Sequence, residues 1–285
     1  MVCKQAPVLV RMLFKKILNW LFMKKESEKV GHYVCALVDI LGQKVELNKL
    51  DDIESIRNQH DEVLKICRNA YGKVKILRKA ISESDTYLNS FAKRCEKSPR
   101  IKNTFFSDLI VMHLSLSKGG EAFDICRLVG MLLSLAEVFL VMLAKGIPLR
   151  GGVDVGIAIE SQDGQLYGRA LSKTYELESN VAQSIRIVIG QELVDLLDIA
   201  ACDSQNEFYD DAKFCRLFIK KDTDSVYILD YLAKPLHQLT DFVVRATKAI
   251  AFLEGENNRF RKCGDYKTAS KYEKALKYFE NSGVA

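Results

Sequence analysis

Residues 33–42 read YVCALVDILG, and six of the first seven side chains are apolar or aromatic. The seventh is Asp39. This run reads as a buried strand over about 32–40 that ends on an acid. A carboxylate there is costly unless something compensates it. The fold must therefore bring a partner to the end of this strand.

The following segments set the arrangement in which a partner can arrive. A long helical pattern covers about 47–95, with Val63, Leu64, Ile66, Val74, Ile76 and Leu77 among many charges, and SPRIKN (98–103) breaks it. Two short apolar pieces, NTFF and LIVMHLSL, flank Ser107-Asp108 and predict a tight hairpin. A strongly apolar helix spans about 120–145 and ends at Gly146 and Pro148. Then IPLRGGVDVGIAIE (147–160) reads as a strand, 168–183 as a helix, 185–189 as a strand and 191–200 as a short helix. KFCRLFIKK (213–221) and DSVYILDYL (224–232) are expected to pair as a hairpin through DTD. The remainder, about 236–282, is helical with a break near 263–265. The order β-α-β-β-α-β is the ferredoxin-like arrangement. The expected class is α+β, a ferredoxin-like βαββαβ core with extra N- and C-terminal helices. The expected division is a basic amphipathic helix (1–30), a core domain (31–235) and a C-terminal helical extension (236–285).

Composition limits the function classes. The chain has 285 residues, is 48% hydrophobic and 28% charged, and has only four prolines, which suits a globular domain rather than extended disorder. The formal net charge is +5, but residues 1–25 carry six basic side chains and no acid. Without those six, about −1 is left for the body, so no basic nucleic-acid footprint is expected. Eight scattered cysteines with no CxxC pair read as reduced core thiols of a cytoplasmic protein. The four histidines (32, 60, 113, 237) have no metal-ligand spacing.

Residues 8–25, VLVRMLFKKILNWLFMKK, lack the roughly 20 uncharged positions of a bilayer span and lack a small-residue cleavage site. A basic amphipathic helix of this kind can make peripheral membrane contact, pack on the body, or form a dimer seam. Met23 followed by KKESEK also has the form of a start site. GMLLSLAEVFLVMLA (130–144) contains Glu137, is only 15 residues long, and reads as a buried core helix.

Asp108 is the second acid set among apolar residues. In a β-α-β-β order, the end of strand one lies beside the turn of the following hairpin, so Asp39 and Asp108 can converge. Two converging carboxylates invite a hard divalent cation, and a pair of such ions suits phosphoryl transfer. Ile40 to Gln43 add a main-chain carbonyl for metal, and N–H donors at Gly42 and Gln43 for phosphate. A lone Asp in a strand-ending turn is more often a turn or cap residue.

The succession VDILGQ, FFSDLIVM, PLRGGVDVGIAIE and GQLYGRALSKTYELES resembles class III nucleotidyl cyclases over about residues 32–232. Those proteins show a D-I-x-G strand end, a G-D hairpin, an R-x-G-I-x-x-G strand and a W-G-x-x-V-N-x-A-x-R-L helix start. The nearer likeness is to divergent bacterial pyrimidine cyclases of anti-phage signalling, which make cyclic UMP or cyclic CMP. The resemblance implies a homodimer that cyclises a nucleoside triphosphate with two divalent ions, Mn²⁺ or Mg²⁺. It makes Asp39 and Asp108 the metal carboxylates and Ile40 the carbonyl ligand.

Two further positions are where the purine cyclases read the base. Here they hold Thr104 and Gln165, which match neither the Lys/Asp pair of adenylate cyclases nor the Glu/Cys pair of guanylate cyclases. Neutral hydrogen-bonding residues suit a pyrimidine edge; they do not separate UTP from CTP, and the resemblance alone implies UTP ahead of CTP. Ser172 stands at the family's ribose-binding Asn. Glu176 stands where the family has its transition-state Arg, and a carboxylate cannot stabilise negative charge on phosphorus. Arg150, Arg169 and Lys173 are the candidate substitutes. Lys220 and Lys221 fall on the hairpin whose lysine contacts the terminal phosphates. The rival expectations are a nucleotide sensor without turnover, an adenylate or guanylate cyclase, and a scaffolding module.

Overall fold

In the computed structural model, residues 29–43, 47–48, 60–91, 101–116 and 125–284 are described. The basic N-terminal helix expected over 1–30 falls almost wholly outside them. So do residues 49–59, 92–95 and 120–124 of the expected helices.

Strand β1 (Lys29–Ile40) runs through the middle of the sheet. Its period of two sorts the side chains by face. Val34, Ala36, Val38 and Ile40 enter the main core, whereas Tyr33, Cys35 and Leu37 enter a smaller cluster on the other face. That double burial explains why YVCALV is apolar without alternation.

Helix α1 (His60–Phe91) leads to strands β2 (Lys102–Phe106) and β3 (Leu109–Ser115), followed by α2 (Cys126–Ala144) and β4 (Leu149–Glu160). β1 pairs antiparallel with β3 and β4, and β2 pairs antiparallel with β3. The spatial order β2-β3-β1-β4 is the expected βαββαβ core. β5 (Leu166–Gly168) pairs β4 and opens into α3 (Arg169–Glu176), which continues as a π-helical turn, Leu177–Val181. β6 (Ile187–Ile189) pairs parallel with β4 and is followed by α4 (Gln191–Cys202).

The next segment differs from expectation. Residues 213–216, read as strand, belong to helix α5 (Tyr209–Arg216), and only β7 (Ile219–Lys221) pairs with β8 (Tyr227–Leu229). The acids Asp210 and Asp211 in the first turn and the bases Lys213 and Arg216 in the last suit the helix dipole. The apolar spacing of KFCRLF is compatible with either structure. A 3₁₀ turn (Lys234–Gln238) leads to α6 (Phe242–Lys262) and α7 (Tyr266–Ser282), which break at Gly264 and restart with Asp265 accepting the Thr268 N–H at 3.0 Å.

Helix α2 is long and apolar enough to cross a membrane, yet most of it is buried against the sheet and α1. Its Glu137 is paired with Arg245 of α6 at 2.9 Å. Tyr278 and Phe279 of α7 join the same core as β1. The opposite face of the sheet is covered by α3 through Ala170 and Leu171. Among the cysteines, Cys35 and Cys215 are buried free thiols, Cys67, Cys202 and Cys263 are exposed free thiols, and Cys126 is disulfide-bonded. The expectation of eight reduced core thiols therefore does not hold as a whole.

Candidate metal and nucleotide site

Asp39 is the penultimate residue of β1. In register it faces Leu109 of β3 and Arg150 of β4. Asp108 directly precedes Leu109, in a tight turn where Ser107 adopts φ +52°. The hairpin thus delivers Asp108 next to Asp39, as expected from the strand order.

Arg150 is the compensating partner that Asp39 requires. Its Nε and Nη2 donate to the same oxygen, Asp39 Oδ2, at 3.2 and 3.1 Å. Both bonds fall on one oxygen, so Arg150 does not engage Oδ1. Burial nevertheless raises the Asp39 carboxyl to about 6. The hydrogen bond and charge of Arg150 oppose that rise, and the nearby charges of Asp108 and Glu178 add to it.

Glu178 was not anticipated as a site residue. It lies in the π-helical turn after α3, is 4% exposed, and approaches Arg150 Nη2 at 2.7 Å. Its placement depends on Gly152. A Cβ there would come within 2.6 Å of Thr174 O and 2.7 Å of Leu177 Cβ, so only glycine lets this helix lie so close to β4. The signal was present in the spacing of Ala170, Thr174 and Glu178. Positions four apart share one helix face, and all three are buried.

Ile40 follows Asp39 and points its side chain into the main core. Gly42 turns the chain after β1 with φ +88°. The Gln43 side chain is directed away from the acids, its Nε2 donating to Ala70 O of α1 at 3.2 Å. Ser172 lines an open, mostly apolar groove of about 370 Å³ with Leu37, Phe106, Leu109, Tyr167 and Tyr175. Leu109 joins this groove to the acids. Thr104 pairs with Val111, which also lines the groove. Gln165 is tied within its own loop, donating to Asp163 at 2.7 Å and accepting from Tyr167 OH at 2.9 Å.

Lys173 is held by Glu192 and by Val155 O, with its side chain 14% exposed. Glu176 is exposed beside Arg169 at 4.0 Å. Lys220 lies on β7, at the edge of the sheet opposite β2, and its ammonium sits over the Tyr278 ring at 5.1 Å. One chain therefore brings Asp39, Asp108 and Arg150 together at the end of β1, places Ser172 in the groove that Leu109 shares, and leaves Lys220 at the far edge of the sheet.

Among the described residues, no group of three or more His, Cys, Asp or Glu side chains is placed to hold a metal ion. Mg²⁺ commonly needs less, using one or two carboxylates with water and substrate phosphates. Asp39 and Asp108, with Asp39 Oδ1 clear of Arg150, meet that smaller requirement.

No family model matches the chain, and no curated protein matches it. Solved structures do. The catalytic core of a rhodopsin-guanylyl cyclase with converted specificity, in complex with ATPalphaS, is 12% identical with a TM-score of 0.37, covering 60% of this chain and 83% of that one. A class III adenylyl cyclase-like ATP-binding protein from Pseudomonas aeruginosa is 15% identical with a TM-score of 0.40, covering 66% of this chain and 41% of that one. A bacterial light-regulated adenylyl cyclase is 9% identical with a TM-score of 0.36, covering 85% and 69%. The α+β class rests on the strand order described above.

Proposed function

We propose that the chain is a nucleotidyl cyclase that converts UTP, or CTP, to its 3′,5′-cyclic monophosphate and pyrophosphate. The observation that carries this reading is the convergence of Asp39 and Asp108 at the end of β1, beside the groove that Ser172 lines. Asp39, Asp108 and the Ile40 carbonyl would hold divalent ions, Mn²⁺ or Mg²⁺. Such ions, when bound, lower the pKa of the attacking hydroxyl and neutralise phosphate charge.

The chain's own groups supply the rest. Main-chain N–H groups at Gly42 and Gln43 hold phosphate oxygens. Thr104 and Gln165 offer neutral hydrogen bonds to the base, and Ser172 orients the ribose. Arg150 supplies positive charge at the phosphates, Lys173 adds to it on leaving Glu192, and Lys220 is brought in from a second chain. The ribose 3′-oxygen bonds to the α-phosphorus as the bond to the β-phosphate oxygen breaks. The 3′-hydroxyl proton leaves to solvent, and pyrophosphate departs. The working unit is a homodimer in the cytoplasm, and the product is a second messenger of antiviral defence.

A second reading, triphosphate binding without turnover, is favoured by two features. Arg150 already occupies Asp39 Oδ2, and Glu176 stands where a cation is expected. One assay separates the two. The purified protein is incubated with Mn²⁺ and each of the four ribonucleoside triphosphates, and pyrophosphate and cyclic product are measured. Product from UTP or CTP supports the cyclase, and product from ATP or GTP alone overturns the pyrimidine assignment. Saturable binding without product supports the sensor.

A further inference from the structure

Arg150 stands between two carboxylates and treats them differently. Its two directed hydrogen bonds go to Asp39 Oδ2. Glu178 Oε1 lies nearer, at 2.7 Å from Nη2, but accepts no hydrogen bond from any described residue. The contact is close in distance and off-axis in angle, an ion pair without a directed N–H. A buried carboxylate oxygen lacking a hydrogen bond, on a residue only 4% exposed, is costly. Reorienting Nη2 would relieve it, provided that Asp39 let go.

We propose that Glu178 is a positioning residue that receives Arg150 when a divalent cation takes Asp39. This rests on the metal assignment of Asp39 and Asp108 made above. In the resting chain the guanidinium neutralises Asp39 and competes with the cation. When the cation arrives, Arg150 turns its N–H groups onto Glu178, so the displaced guanidinium keeps an anionic partner. It then stays fixed beside the ion, where phosphate oxygens would lie. The π-helical turn and Gly152 make this possible by setting Glu178 against β4 at the arginine, and π turns are frequent at functional sites. Without Glu178, cation entry would strand a half-buried guanidinium.

The test is Mn²⁺ affinity of the full chain, read by electron paramagnetic resonance without nucleotide, in a double-mutant cycle. Glu178→Gln is expected to weaken Mn²⁺ binding about tenfold, and Arg150→Gln to strengthen it by a similar factor, a coupling in the range seen for groups sharing one network. In the Arg150→Gln background, Glu178→Gln is expected to change affinity less than about threefold, because Glu178 acts through the arginine. Glu178→Asp keeps the charge and shortens its reach. It should fall between wild type and Glu178→Gln, and it serves if the glutamine variant fails to fold by circular dichroism. Equal weakening in both backgrounds, or unchanged affinity in Glu178→Gln, overturns the proposal. An Asp39→Asn arm separates the two levels. If Asp39→Asn binds Mn²⁺ as wild type does, the metal assignment itself fails. If it abolishes binding while Glu178→Gln does not alter it, only the role of Glu178 fails.

Discussion

Asp39 and Arg150 stand directly opposite each other across the β1–β4 ladder, joined by two N–H bonds to one carboxylate oxygen. They are 111 positions apart in the chain. The pairing answers the acid at the end of an apolar strand, and it leaves the other oxygen clear of the arginine.

The first prediction is a pH dependence. The Asp39 carboxyl sits near 6, so it is charged above that value and neutral below it. Mn²⁺ binding should rise through pH 6 with a midpoint there, and Asp39→Asn should lose that step. The stability effect has the opposite sign. A carboxyl raised by burial contributes to stability below its unfolded value, and the contribution is lost as pH rises through the folded value. Between about pH 4 and 6, chelator-treated wild type should lose thermal stability with rising pH relative to Asp39→Asn.

A second prediction concerns Asp154 of β4, which is buried beneath the start of α4. Its Oδ1 accepts N–H bonds from Val155 at 2.8 Å and Leu193 at 3.0 Å, and a Cβ at Gly190 would collide with its carboxyl group. Burial raises its pKa, and these backbone donors oppose the rise. Asp154→Ala should cost about 1–3 kcal/mol in urea unfolding by leaving those donors unpaired. Gly190→Ala should cost about 1–3 kcal/mol through overpacking.

Gly152→Ala makes a third, and it has two readouts. Unfolding free energy should fall by about 1–3 kcal/mol as α3 and its π turn are pushed off β4. Mn²⁺ affinity should fall as well, because the same displacement carries Glu178 away from Arg150.

Complementation tests the proposed shared dimer site. Lys220 lies at the far edge of the sheet from Asp108, so in the proposed homodimer a nucleotide at Asp39 would meet the lysine of the second copy. Inactive Asp39→Ala and Lys220→Ala chains, mixed and re-equilibrated, should recover roughly a quarter of wild-type turnover, since about half the dimers are mixed and each has one intact site. No recovery on mixing would place both residues in one chain's site.

Much of the fold was legible because hydrophobic period and turn chemistry are local. The apolar run 34–38, the hairpin around Ser107-Asp108, the apolar helix before Pro148 and the break at Gly264 each carry their own signal. From these the βαββαβ order followed, and the convergence of Asp39 and Asp108 followed from that order. Residues 213–216 were misread because KFCRLF suits either a strand or a helix, and the flanking charges that favour the helix are a weak local signal. Arg150 stood out as a candidate substitute for the transition-state arginine, but its bond to Asp39 depends on strand register across a long connection. Glu178 was visible only as the third member of a four-residue spacing, overshadowed by the exposed Glu176.

The most direct test is a crystal structure with Mn²⁺ and a UTP analogue that cannot be cyclised. The account predicts anomalous density at about 2.1 Å from an oxygen of Asp39 and an oxygen of Asp108, within the range for small hard divalent ions. Arg150 should then be off Asp39 and hydrogen-bonded to Glu178. Carboxylates pointing apart with no ion between them, and Arg150 still on Asp39, would contradict it.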